Sequence, residues 1–149
     1  MEAHLTARGM LCLRTLVAIG LAFSLSSCRG KSDGELPSKM LPFGGVNSPV
    51  SQQIVVGKID VSGWALSEAG IESVSIYVDR TFVVECATGQ PRPDVARTYP
   101  KIADSGSSGW AVAVDAARFT IGWHEVTVQV KSKAGVTRDL ASLPIVIQR

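Results

Sequence analysis

The chain has 149 residues, 46% of them apolar and 19% charged, with a formal net charge of +2. That length suits one domain, and the composition is that of an ordinary globular protein. Such a balance creates no field able to draw in nucleic acid, and no run of Lys and Arg creates one locally, which argues against a nucleic-acid partner.

At the N-terminus, Arg8 and Arg14 flank the start of an apolar run from Leu16 to Leu25. A run of about ten residues is too short to span a bilayer and suits the h-region of a secretory signal. Met1 and Met10 are both candidate starts, the second giving a compact signal that opens Met10-Leu11-Cys12. The run ends in Leu25-Ser26-Ser27-Cys28, which resembles the bacterial lipobox. The resemblance implies a lipoprotein signal peptide over 1–27. It also implies a palmitate-bearing diacylglyceryl anchor on Cys28 and a place in the bacterial cell envelope. Several acyl chains, at about 0.8 kcal/mol per buried methylene, hold a protein to a membrane where one would not. Arg29, standing where an inner-membrane lipoprotein commonly carries Asp, favours the outer membrane if the cell is Gram-negative. Cys12 leaves with the signal and Cys28 takes the lipid, so Cys86 has no disulfide partner and serves as a small apolar residue.

Residues 28–50 mix Gly, Pro, Ser and charge without apolar periodicity and read as the lipidated cysteine followed by a flexible tether. Residues 51–149 then alternate with period two. Val74, Ile76 and Val78 share one face; so do Phe82, Val84 and Cys86; so do Trp110, Val112 and Val114; so do Val126, Val128 and Val130. The stretch 53–67 predicts one or two strands and 138–149 a last one, placed at an edge or bulged because Pro144 cannot donate to a ladder. Short turns at Asp79-Arg80 and after Val130 join neighbours in antiparallel fashion. The reading is all-β, an immunoglobulin-like antiparallel β-sandwich of about seven strands, with a small barrel as the alternative.

The segments "VSGWAL", "IESVSIYVDRTFV", "RPDV…YP", "SGW" and "GWHEVTVQVKSKAG" together resemble bacterial Ig-like modules over about Val55 to Ile147. The resemblance implies a binding or spacer module with no catalytic residues and no cofactor. Many relatives have an aspartate-rich turn where this chain has Lys131-Ser132-Lys133-Ala134-Gly135, so no calcium site carries over.

Individual residues sharpen this. His124 shares the inward face of its strand and resembles the corner tyrosine of Ig-like folds, whose polar tip ties back to nearby backbone. No second ligand or nucleophile accompanies it, so neither a metal site nor a catalytic triad is read. Trp64 and Trp110 sit in matching Ser-Gly-Trp-Ala stretches and are expected as core anchors, Trp64 through a bulge near Ser62-Gly63. Trp123 has outward parity. The long loop 87–109 carries Arg92 and Asp94, with Asp94 placed to cap a single helical turn; it is either a brace or a recognition loop. The favoured function is a lipid-anchored, non-catalytic module that binds an envelope or surface protein or serves structurally, with Arg92, Asp94, Tyr99 and Trp123 as candidate binding residues. The alternative is a carbohydrate-binding lipoprotein in which Trp123, Tyr77 and Tyr99 form a platform for a glycan.

Overall fold

A computed structural model describes residues 41–149. The signal segment 1–27, Cys28 and the tether up to residue 40 lie outside the described residues. The alternating segments form strands β1 (Phe43–Ser48), β2 (Gln53–Val56), β3 (Lys58–Leu66), β4 (Ile71–Val78), β5 (Thr81–Cys86), β6 (Gly109–Asp115), β7 (Gly122–Ser132) and β8 (Thr137–Gln148). Among the described residues one short α-helix, α1 (Pro93–Thr98), interrupts them. A three-stranded sheet, β1-β3-β6, faces a five-stranded sheet, β2-β8-β7-β4-β5. All pairings are antiparallel except β2 with β8.

Alternation explains the core. Ile59 and Val61 of β3, Val74, Ile76 and Val78 of β4, Val126, Val128 and Val130 of β7, and Ile145 and Ile147 of β8 are all buried. Trp110, 1% exposed, fills the space above Gly63. A β-carbon on Gly63 would lie 2.6 Å from Trp110 Cζ2, so the indole requires the glycine.

The structure corrects several expectations. The domain begins before residue 51, because β1 lies within the stretch assigned to the tether. Gly44 and Gly45 carry no side chains and pass close to Trp64, so β1 has no apolar alternation to betray it. Trp64 is not a core anchor: β3 keeps strict alternation across Ser62-Gly63 and turns the indole to the outer side, half-buried. Phe82 does not align with Val84 and Cys86. A bulge in the β4–β5 ladder pairs Ile76 with Val84 but Tyr77 with Phe82, which turns Phe82 outward. A second bulge, in the β7–β8 ladder, pairs Val128 with Ala141 and Gln129 with Asp139, so Leu140 packs toward the core and Asp139 faces out.

Pro144 sits where its ring is tolerated. Its carbonyl accepts from the Gln52 amide at 2.6 Å, and the parallel β2–β8 ladder starts only at Ile145. The missing N–H therefore falls just outside that ladder. The Asp79-Arg80 turn has both residues at positive φ, 50° and 65°, the geometry of a tight hairpin.

Register also defines two poles. Phe43 pairs with Leu66 at the end of β3, so the chain enters the domain at that pole. Gly57 links Val56 of β2 to Lys58 of β3, and Gly122 pairs with Ile147, so these ends meet at the opposite pole. The nine residues of β3 separate the poles by roughly 30 Å.

Candidate functional site

The loop between β5 and β6 is tied down at both ends and over its length. Gln90 and Gly109 exchange backbone hydrogen bonds at 3.0 Å, and the Arg92 amide donates to the Gly106 carbonyl at 2.8 Å. The Arg92 guanidinium donates from Nε to Asp94 Oδ1 at 2.9 Å and from Nη2 to Asp94 Oδ2 at 2.7 Å. Its Nη1 donates to Asn47 Oδ1 of β1 at 3.1 Å. This fork holds the Asp94 carboxyl at a pKa of about 2. Asp94 is not the helix cap. Arg92 occupies that position, Pro93 opens α1, and Asp94 sits in its first turn, its carboxylate turned to Arg92.

Val95 of α1 is buried. Tyr99, which ends α1, lies on Trp64 at 5.6 Å and on Phe43 at 5.2 Å between ring centroids. The loop is thus a brace across the outer side of the three-stranded sheet.

His124 is the third residue of β7, its side chain 8% exposed. Its Nδ1 donates to Asp79 Oδ2 at 2.7 Å and its Nε2 to the Thr120 carbonyl at 2.8 Å. Both partners are acceptors, so the ring satisfies them together only as an imidazolium. Burial lowers its pKa, but the Asp79 hydrogen bond and the Thr120 carbonyl outweigh that and hold it above the ordinary value. Asp79 Oδ1 also accepts the Glu125 amide at 3.0 Å. His124 therefore takes the corner role expected of it, and extends it to the β4–β5 turn.

Cys86 is half-buried against the core with a free thiol that burial, then the Glu85 charge, push upward in pKa. Among the described residues no three His, Cys, Asp or Glu side chains converge to hold a metal. No helix among them is long and apolar enough to cross a membrane.

The candidate residues do not form one cluster. Arg92, Asp94 and Tyr99 lie on the brace, whereas Trp123 stands 65% exposed on the outer face of the five-stranded sheet. Tyr77 shares Trp123's sheet, so the three-ring platform is split between the two sides of the sandwich.

Two features of that outer face escape a reading of single strands. Trp123 pairs with Val146, and Val146 with Ile54, giving an apolar row across β7, β8 and β2 near the pole opposite the chain's entry. Val56 follows on the same face of β2, and it and Ile54 are both more than half exposed. Beside this row lies a groove of about 300 Å³ lined by Tyr77, Arg80, Glu125, Thr127, Gln129, Asp139 and Ser142. The alternation that hides Val55 and Ile145 already places Ile54 and Val146 outward, but only the pairing shows that they meet.

A two-sheet sandwich in this topology, with its corner histidine and braced loop, defines an Ig-like or fibronectin III-like module. The model of the bacterial Ig domain family matches residues 42–128, and the chain belongs to that family. The match begins beside β1, in agreement with the earlier domain start. No curated protein matches the chain. Among solved structures it resembles the fibronectin(III)-like modules of CbhA from Clostridium thermocellum, with 12% identity, a TM-score of 0.50, and 70% of this chain and 93% of that chain covered. It also resembles the endo-β-1,4-mannanase from Thermotoga petrophila, with 14% identity, a TM-score of 0.52 and 72% of this chain covered. There it spans 20% of the mannanase chain. These likenesses concern the fold.

Proposed function

We propose that the chain is an accessory, non-catalytic module, held in the bacterial cell envelope by a lipid on Cys28, that docks an envelope or surface protein. The observation that carries the docking role is the row Ile54–Val146–Trp123, an aromatic and two β-branched side chains adjacent on three strands. The two residues at its ends are more than half exposed. Contiguous exposed apolar side chains on a small domain mark interaction surfaces, and an exposed Trp is the kind of residue that anchors them. The row lies at the pole opposite Phe43, the first residue of β1. The Leu25-Ser26-Ser27-Cys28 motif supports the anchor, and Arg29 favours the outer membrane in a Gram-negative cell.

The test is a photo-crosslinking residue at position 123 of the full chain in growing cells. A discrete protein adduct is expected, and Ile54→Asp should abolish it. Adducts that survive Ile54→Asp, or that form only from positions on the brace, would move the docking surface elsewhere.

A further inference from the structure

We propose that the groove on the outer face of the five-stranded sheet is a binding site for a neutral oligosaccharide. The inference stands apart from the docked protein and from the anchor.

Two of the bulges in the five-stranded sheet bear on this groove, one at its lining and one at the ring packed on Tyr77. The bulge in β5 turns Phe82 out, 54% exposed, against Tyr77 at 5.8 Å between ring centroids. The bulge in β8 turns Asp139 out, where it accepts from Gln129 Nε2 at 2.8 Å. Without either, regular alternation would face Val83 and Leu140 outward. Bulges that re-aim side chains recur beside functional sites, and here both introduce groups that a sandwich core does not need.

The lining chemistry selects the ligand. Thr127 and Ser142 hydroxyls pair at 2.7 Å, the Gln129–Asp139 pair lies alongside, and neighbouring strands hold all four in place. The Glu125 carboxylate and the Arg80 guanidinium line the same groove and engage no partner among the described residues. Hydroxyl, amide, carboxylate and guanidinium groups beside a pair of rings suit a molecule that presents hydroxyls on its edge and C–H bonds on its face. A sugar does both. The lining contains no aliphatic pocket to receive an apolar peptide side chain. Two carboxylates against one guanidinium disfavour anionic polymers, which leaves a neutral glycan.

The test is affinity electrophoresis of the full chain in gels containing hydroxyethylcellulose, glucomannan or soluble chitosaccharide, with polygalacturonate as the anionic control. Retardation by at least one neutral polymer is expected, weakened about tenfold or more in affinity by Tyr77→Ala and by Glu125→Gln. Tyr77→Phe, which keeps the ring, should retain it. Circular dichroism and a urea midpoint on each variant separate lost binding from lost folding, and Phe82→Ala, at an exposed position, gives a second disruption of the ring pair. No retardation by any neutral polymer overturns the proposal. So do retardation by polygalacturonate alone, retardation indifferent to all three disruptive variants, and a protein adduct from a crosslinker at position 77. The protein-docking experiment reads position 123 and Ile54, so either reading can fail without the other.

Discussion

His124 joins two loops through one charged ring, and that charge fixes how stability depends on pH. The folded pKa of His124 lies above its unfolded value of about 6.5, so its contribution is complete below that pH. It is lost as pH rises through the folded pKa, where one of the two N–H donors disappears. Asp79 works in the opposite sense. Burial raises its pKa, but the Glu125 amide and His124 outweigh that and hold it low, so its contribution is lost as pH falls through the acid range. The clasp is strongest between these limits. Urea midpoints of the full chain should therefore fall between about pH 6 and pH 9, and His124→Gln should lower the midpoint at pH 6 and flatten that fall. An unchanged slope in the variant would show that the ring carries no linked proton.

At the scale of elements, the segment 87–108 is a packed brace. Its polar fork, Arg92 with Asp94 and Asn47, is open to water, and exposed ion pairs contribute little. The apolar contacts of Val95 and of Tyr99 on Trp64 carry more of the attachment. Val95→Ala should cost on the order of 1–3 kcal/mol in urea unfolding, and Arg92→Ala distinctly less. Equal losses would put the fork, and not the packing, in charge. This loop was legible in sequence as irregular and as carrying one helical turn. That its tyrosine covers Trp64 was not, because the contact joins residues 35 positions apart on elements with unrelated periodicities. β1 was hidden for a different reason: two glycines that permit close approach also erase the alternation by which a strand is recognised.

At the scale of the whole molecule, the two poles divide the work. The chain joins the domain at the Phe43–Leu66 end, while the apolar row lies toward the other. On the lipid-anchored reading, palmitate incorporation in cells should vanish in Cys28→Ala while the domain still folds; undiminished labelling would remove the anchor from the proposal.

The sequence by itself determined the sandwich, the inward valines, the corner histidine and the family, because each rests on short-range periodicity or on a motif a few residues long. The tertiary structure decided which outward residues meet. Trp123, Val146 and Ile54 become neighbours only through the register of three strands; only through bulges does Asp139 reach the groove and Phe82 turn out against Tyr77. A one-residue slip reverses the face of every side chain beyond it, and strand pairing, which joins residues distant in the chain, decides where such slips occur.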